Sequence, residues 1–131
     1  NRKGVVWNFL DGAVKTGRAL LDGEGAQERD FLHVDDAVSA VRAALPQEAC
    51  GTLTLNIATG QKTSLAELAA LLSRALGRPI AAEASGRPEQ PPRRIWLDPL
   101  AAARTLDWSA SISLPEGLQQ TAAWRLSLPN E

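Results

Sequence analysis

Every stretch of this sequence that alternates like a β-strand is short. The longest, "TLTLNI" at 52–57, puts Leu53, Leu55 and Ile57 on one side and polar residues on the other. The remaining candidate strands lie at 19–21, 30–34, 79–84 and 95–98. Strands of this length build only small sheets, so helices must supply most of the hydrophobic core.

Helical periodicity and helix-end signals account for most of the remaining chain. Apolar residues at helical spacing predict helices over 4–17, 35–45, 64–76, 98–108 and from 113 onward. Two of these helices begin with a capping box, in which Ser64 or Ser113 is followed three residues later by glutamate. The element order predicts an α/β fold of small mixed sheets with four to five helices, forming one domain over residues 1–131.

The second predicted helix is amphipathic. Its apolar face is formed by four residues at helical spacing, Val34, Val38, Val41 and Leu45. Asp35 and Asp36 stand at its N-terminus, where the helix dipole favours negative charge.

The composition excludes several classes of protein. The net charge of -1 gives no electrostatic basis for binding nucleic acid, and no apolar run approaches the roughly 20 residues of a membrane-spanning helix. A single cysteine, Cys50, allows neither an intramolecular disulfide nor a cysteine-based zinc site. We therefore expect a cytoplasmic setting, with no nucleic-acid partner, no membrane partner and no metal.

Two missing residue types bear on catalysis. The chain contains no methionine, so we expect it to be a portion of a longer protein. It contains no tyrosine, which removes one common proton-transfer residue. No loop of the Gly-x-Gly-x-x-Gly type follows a candidate strand. The sequence therefore predicts no catalytic residue and no complete active site in this chain.

Two arginine-containing loops are candidates for anion binding. Arg29 precedes Asp30 where a glycine-rich loop turns into structure. The two form either a surface ion pair or a ligand site, in which the guanidinium of Arg29 binds a phosphate or carboxylate and Asp30 either orients Arg29 or holds the loop backbone. The second loop, "GRPEQPPRR", carries Arg87, Arg93 and Arg94 on a proline-stiffened backbone. Three guanidinium groups in so short a span suit a polyanion such as a diphosphate, and the alternative is a solvated basic loop.

His33 and the aspartates that follow it are best explained as structural residues. His33 has no serine or cysteine nearby in the context of a nucleophile. Asp35 and Asp36, taken with Asp30, offer carboxylates for a metal, but their position at a helix start explains them more simply.

Four segments, in order along the chain, resemble the C-terminal part of the NAD-dependent epimerase/dehydratase family, which comprises extended short-chain dehydrogenases/reductases acting on nucleotide sugars. "RALLDGEGAQERDFLHVDD" is similar to the family's "GDG-x-Q-x-RDF-x-x-VDD" segment, and "TLNIATGQKTS" to its "FNIGTG…S" segment. "GRPEQPPRRIWLDPLAAARTLDW" is similar to "RPGE…R…D-x-x-KA-x-x-LGW", and "SLPEGLQQTAAW" to "SLEEGL-x-x-T-x-x-W". Together they span nearly the whole chain.

The resemblance implies a substrate-binding lobe without the machinery for hydride transfer. In the family, the nucleotide-binding domain comes first in the chain and carries the glycine motif for NAD and the catalytic tyrosine and lysine. Carried over position by position, Arg29 and Arg87 would contact the diphosphate of a nucleotide sugar. Leu20 and Leu21, the residues before the "GDG"-like turn, would border the nucleoside base. The implied ligand is a nucleotide sugar, and the implied cofactor of the complete enzyme is NAD.

Two alternatives to that function remain open at the level of sequence. One is a non-catalytic, self-associating interaction module, in which the apolar stretch Val5, Val6, Trp7, Phe9 and Leu10 forms the contact surface of a homodimer. The other is a fragment that folds without a function of its own.

Overall fold

The computed structural model describes residues 4–22, 25–45, 51–87 and 94–129, and all structural statements refer to them. Five helices and five strands follow one another in the predicted order. They are α1 (Val5–Thr16), β1 (Arg18–Leu21), β2 (Glu28–Arg29), α2 (Val34–Ala44), β3 (Thr63–Ser64), α3 (Leu65–Ala75), β4 (Ala81–Ala84), β5 (Arg94–Ile95), α4 (Leu100–Leu106) and α5 (Leu114–Ser127).

The strands form two small sheets. β1 pairs in parallel with β4, with Leu20 opposite Glu83. β2 lies between β3, which is antiparallel to it, and β5, which is parallel to it. The prediction of an α/β fold with small mixed sheets is thus confirmed, since no described strand exceeds four residues.

The larger hydrophobic cluster lies between α1, α3, α5 and β1. Leu10, Leu68 and Leu72 are fully buried there, and Phe9 and Leu118 pack beside them. Burying a leucine side chain stabilises the fold by about 1.5–3 kcal/mol, so this cluster provides most of the driving force for folding.

A buried arginine joins two helices of this cluster. The Nη2 of Arg125 in α5 donates to Oδ1 of Asp11 in α1 at 2.8 Å, and its guanidinium lies 5.5 Å from the ring centre of Trp7. The hydrogen bond from Arg125 lowers the pKa of Asp11. The carboxylate therefore stays ionised and balances a charge that is costly to bury alone.

A second, smaller cluster lies beneath α2 and α4. Ala40, Ala102, Leu106 and Trp108 are buried in it, with Leu55 among the partly buried residues packed around them. Two of its four central side chains are alanines, so it buries much less apolar surface than the first cluster.

The helix ends follow the predicted signals. Ser64 Oγ accepts from the backbone N–H of Glu67 at 3.1 Å, and Ser113 Oγ accepts from that of Glu116 at 3.4 Å. Gly17 ends α1 in the left-handed conformation, with φ of 72°, as glycine at this position commonly does. The residues that cap a helix lie within a few positions of its end, which explains why sequence patterns locate helix ends well.

The strand positions were predicted less well. Residues 52–57 form no regular strand, and 30–34 is replaced by the shorter β2 at Glu28–Arg29. β5 is Arg94–Ile95, so of the extended stretch expected at 95–98 only Ile95 lies in a strand. A strand requires a hydrogen-bonding neighbour as well as an alternating pattern, and among the described residues 52–57 has none.

Two apolar surfaces differ from the sequence prediction, since one expected at the surface is partly buried and one expected in the core is exposed. Phe9 and Leu10, assigned to a self-association surface, lie in the first cluster. The apolar face of α2, by contrast, points to solvent, and the helix buries its opposite side through Asp36 and Ala40. No helix in the described ranges has both the length and the apolar character needed to cross a bilayer.

Candidate functional site

The cavity that carries the predicted ligand-binding residues lies between α1, β1, β2 and β4. Its volume is about 920 Å³. Arg29, Arg87 and Leu20 line it, although they are distant in sequence. Polar side chains that also line it are Asn8, Arg18, Asp22, Gln27, Glu83 and Ser85.

Strand geometry decides which leucine of β1 reaches this cavity. Successive side chains of a strand point to opposite faces, and along β1 burial alternates accordingly. Leu20 is exposed and lines the cavity, whereas Leu21 is only 7% exposed and belongs to the first hydrophobic cluster. Of the two leucines predicted to border a nucleoside base, Leu20 therefore lies at the cavity and Leu21 is buried away from it. The next residue on the same face as Leu20 is Asp22.

Close packing of α1 against β1 forms one wall. Gly12 lines the cavity, and a Cβ at this position would lie 2.6 Å from the carbonyl oxygen of Arg18. Only glycine allows the helix to approach the strand this closely.

Arg29 is held by its position in the central strand of the second sheet. Its backbone lies between Thr63 of β3 and Ile95 of β5. Its Nη1 donates to the carbonyl oxygen of Glu28 at 3.1 Å, and its Nη2 donates to Oε1 of Gln27 at 2.9 Å. These contacts fix the guanidinium in a half-buried position at the cavity, where little entropy is lost when it meets a ligand.

Arg87 lies in the same cavity but is held more loosely. Its side chain is 76% exposed, and its Nη1 lies 3.5 Å from Oδ2 of Asp22. Asp22 is itself fixed, because Ser85 Oγ donates to its Oδ1 at 2.6 Å. Of the other arginines in this loop, Arg94 lies in β5 with its Nε 3.5 Å from Oε2 of Glu28, and Arg93 lies outside the described residues.

The charged side chains that line the cavity in the described ranges carry three positive and two negative charges. The second carboxylate, that of Glu83, lies 3.2 Å from Nη1 of Arg18. The net charge of these groups is thus positive, and it includes one half-buried arginine, Arg29, and one exposed arginine, Arg87. Such a set suits a bidentate, doubly charged anion such as a diphosphate.

Asp30 holds a loop. Its carboxylate accepts from the backbone N–H of Thr59 at 3.1 Å, from the Thr59 hydroxyl at 2.7 Å and from the N–H of Gly60 at 2.9 Å. Of the two roles considered for Asp30, holding loop backbone is the one the structure supports, and the loop lies 29 residues away in sequence.

His33 and Asp36 are also structural. His33 caps α2, with its Nδ1 accepting from the backbone N–H of Asp35 at 3.3 Å. Asp36 is buried and accepts from Ser111 N, Ser111 Oγ and Ile112 N at 2.9–3.0 Å. Burial alone would raise the pKa of Asp36, but these hydrogen bonds outweigh it and hold the pKa below its ordinary value.

The sequence reasoning missed several cavity residues. Asp22 could have been found, because strand alternation places it on the same face as Leu20. The position of Glu83 at the cavity depends on the parallel register of β1 and β4, and that of Asn8 depends on the packing of α1. A local sequence pattern contains neither kind of information.

Comparison with known proteins shows which proteins this chain resembles. Residues 3–58 match the sequence profile of the NAD dependent epimerase/dehydratase family. The chain is 32% identical to the putative UDP-glucose 4-epimerase of Methanocaldococcus jannaschii and 35% identical to the UDP-glucose 4-epimerase of Mycolicibacterium smegmatis. The chain is therefore similar to part of two UDP-glucose 4-epimerases, one of them putative.

Solved structures agree with this relationship. The UDP-glucuronic acid 4-epimerase from Bacillus cereus, in complex with UDP-glucuronic acid and NAD, has the same fold over 98% of this chain, with a TM-score of 0.88 and 21% identity. MoeE5 in complex with UDP-glucuronic acid and NAD gives a TM-score of 0.84 at 29% identity, again over 98%.

The chain corresponds to only part of each relative. The matches cover 92% and 90% of this chain, but only 38% of the Methanocaldococcus jannaschii protein and 37% of the Mycolicibacterium smegmatis protein. Of the solved chains, this chain spans 41% of the Bacillus cereus enzyme and 43% of MoeE5.

Proposed function

We propose that this chain is the nucleotide-sugar-binding, C-terminal portion of an NAD-dependent epimerase or dehydratase, folded as one domain over residues 1–131. It would bind and orient the substrate and would not turn it over alone. The observation that carries the proposal is the cavity that brings Arg29, Arg87 and Leu20 together. The comparisons support it, because two solved relatives hold UDP-glucuronic acid and NAD.

Each cavity residue has a defined part in this proposal. Arg29 and Arg87 would share the diphosphate, whose two charged phosphoryl groups match two guanidinium groups. Leu20 offers an apolar surface beside the nucleoside base. Binding energy gained on the nucleotide would position the sugar for chemistry that takes place elsewhere in the complete enzyme.

NAD would be held outside this chain. The charged groups that line the cavity in the described ranges are arginines and carboxylates, and the sequence offers neither a strand–glycine–helix loop for a dinucleotide nor a tyrosine. When bound to the complete enzyme, NAD would supply hydride transfer. The residues of this chain therefore contribute binding only.

Binding of UDP and nucleotide sugars to the chain tests the proposal. We expect titration with UDP, UDP-glucose and UDP-glucuronic acid to shift the backbone amide NMR signals of Leu20, Asp22 and Arg87. Arg29→Ala and Arg87→Ala should each weaken binding about tenfold or more, since a charge-assisted hydrogen bond contributes about 1.5–3 kcal/mol. Arg104→Ala, an exposed residue of α4 outside the cavity, is the control and should leave the affinity unchanged.

Two results would contradict the proposal. The first is an absence of shifts with UDP, UDP-sugars, dTDP-sugars and GDP-sugars alike. The second is binding that neither arginine variant weakens. A cytoplasmic location and a homodimer stay predictions, and sedimentation velocity over a range of concentrations checks the latter.

A further inference from the structure

Side chains on one face of the β1–β4 sheet form a row that leads away from Arg87. Asp22, which contacts Arg87, stands at the near end of this row. Leu20 and Arg18 follow on the same strand face, about 7 Å and about 13 Å farther along, because residues of a strand advance by about 3.3 Å each. All three side chains line the ligand cavity. A nucleotide whose phosphates lie at Arg87 would therefore place its base near Leu20 and Arg18.

An ion pair adjoins the apolar side chain in this row. Glu83 of β4 is directly opposite Leu20 in the parallel register, and its Oε2 lies 3.2 Å from Nη1 of Arg18. Oε1 of Glu83 and Nη2 of Arg18 make no hydrogen bond with a described residue. Beside an apolar platform for the flat face of a base, the pair thus keeps a donor and an acceptor available for the edge of that base.

The pair presents its donors and acceptors in a fixed order. A guanidinium offers donors only, and an ionised carboxylate offers acceptors only, on two oxygens. The pairing edge of guanine carries, in order, the acceptor O6, the donor N1–H and the donor N2–H. Arg18 facing O6 and Glu83 facing N1–H and N2–H would match all three groups, with two parallel hydrogen bonds to one carboxylate.

The other bases match this order less well. Uracil and thymine have one N–H between two carbonyl groups, so one carbonyl would face an oxygen of Glu83. Adenine and cytosine place an amino group opposite Arg18 and a ring nitrogen acceptor opposite Glu83. A site that is built to hydrogen-bond a polar group rejects analogues that lack it, because the groups of the site are then left unpaired.

We propose that Arg18 and Glu83 select guanine, so that the substrates of this cavity are GDP-sugars. The inference rests on the proposed function, because it requires the diphosphate to lie at Arg29 and Arg87. It adds the identity of the base, which the two diphosphate-binding arginines leave open.

Titration calorimetry of the chain with GDP, IDP and UDP tests the selection. IDP differs from GDP only in lacking the 2-amino group, so it removes one of the two hydrogen bonds to Glu83. We expect GDP to bind about tenfold more tightly than IDP or UDP, or better, as one lost hydrogen bond to a charged group implies. This comparison uses the unaltered chain and therefore does not depend on the folding of a variant.

Substitutions then assign the preference to the pair. Glu83→Gln should reduce the ratio of the GDP and IDP affinities to about threefold or less, because the two-acceptor edge is lost. Arg18→Ala should weaken GDP and IDP by similar factors, since both bases carry O6. Asp22→Asn is the matched control: it removes the other carboxylate of the cavity and should leave the GDP to IDP ratio unchanged.

Different results would overturn the inference and the proposed function. Binding of UDP as tight as that of GDP would exclude guanine selection and leave the proposed function intact. A preference for GDP over IDP that Glu83→Gln does not reduce would show that another group reads the base. Absence of binding for every nucleoside diphosphate and nucleotide sugar would contradict the proposed function itself, and the inference with it.

Discussion

At the scale of single residues, Asp22 contacts Arg87 and, under the proposed function, would compete with a ligand for it. Its carboxylate lies 3.5 Å from the arginine and is fixed by Ser85. A bound diphosphate would have to draw Arg87 away from Asp22 and would also meet its negative charge. We predict that Asp22→Asn raises the affinity for UDP about three- to fivefold, the equivalent of about 1 kcal/mol for a largely exposed ion pair.

A variant of Glu83 provides the control for the loss of a negative charge in the cavity. Glu83→Gln removes a charge from the same cavity but frees Arg18 instead. Titration calorimetry on both variants, repeated in an Arg87→Ala background, separates the two effects. If Asp22→Asn improves binding equally with and without Arg87, competition for this arginine is not the cause.

A second prediction at this scale concerns Asp36 and pH. The folded-state pKa of Asp36 is lowered, so its contribution to stability is complete above the unfolded-state pKa of about 4 and is lost as the pH falls through the folded value. Asp36→Asn should therefore destabilise the fold by about 2–4 kcal/mol at pH 7, because three hydrogen bonds to a buried carboxylate are disrupted. The difference from wild type should shrink toward pH 3.

Urea unfolding at pH 7 and at pH 3 measures this effect. The control is Asp35→Asn, because Asp35 is exposed and its carboxylate holds no loop. A loss of stability for Asp36→Asn that is equal at both pH values would show that the ionised carboxylate is not what stabilises the loop at Ser111 and Ile112.

At the scale of secondary structure elements, the contact between α1 and β1 predicts an effect opposite to helix propensity. In an exposed helix, Gly→Ala stabilises by about 1 kcal/mol. At Gly12, the added Cβ would lie 2.6 Å from a backbone carbonyl oxygen, so we expect Gly12→Ala to destabilise by about 1–3 kcal/mol.

Thermal unfolding of a second glycine variant provides the comparison. A Cβ at Gly117 in α5 would meet the His33 side chain at 2.9 Å, and a side chain can move aside more readily than backbone. Gly117→Ala should therefore cost less than Gly12→Ala. A stabilised Gly12→Ala protein would contradict the close approach of α1 to β1.

At the scale of the whole molecule, the two hydrophobic clusters predict unequal local stability. The first contains three fully buried leucines, whereas the second consists partly of alanines and lies beneath the helix whose apolar row is exposed. Regions with fewer buried apolar contacts open more easily. We predict faster amide hydrogen exchange in α2 and α4 than in α3, as measured by NMR. Equal protection of α2 and α3 in the isolated chain would contradict this prediction.

What the sequence by itself determined is local in physical origin. Helices depend on hydrogen bonds between residues four apart and on caps such as Ser64 and Ser113, so their bounds were predictable within a few residues. The candidate arginines, Arg29 and Arg87, could also be named from the sequence, through the resemblance carried by the segments around them.

Strand pairing, the buried face of each element and contacts between residues far apart in sequence were decided only by the tertiary structure. Strand pairing is non-local, so the best alternating pattern, at 52–57, forms no strand, while two-residue strands at Glu28–Arg29 and Thr63–Ser64 do. Which face of α2 is buried, which of Leu20 and Leu21 reaches the cavity, and where Asp22 meets Arg87 all depend on packing between elements. A sequence pattern defines the two faces of an element, but only its neighbours determine which face is covered.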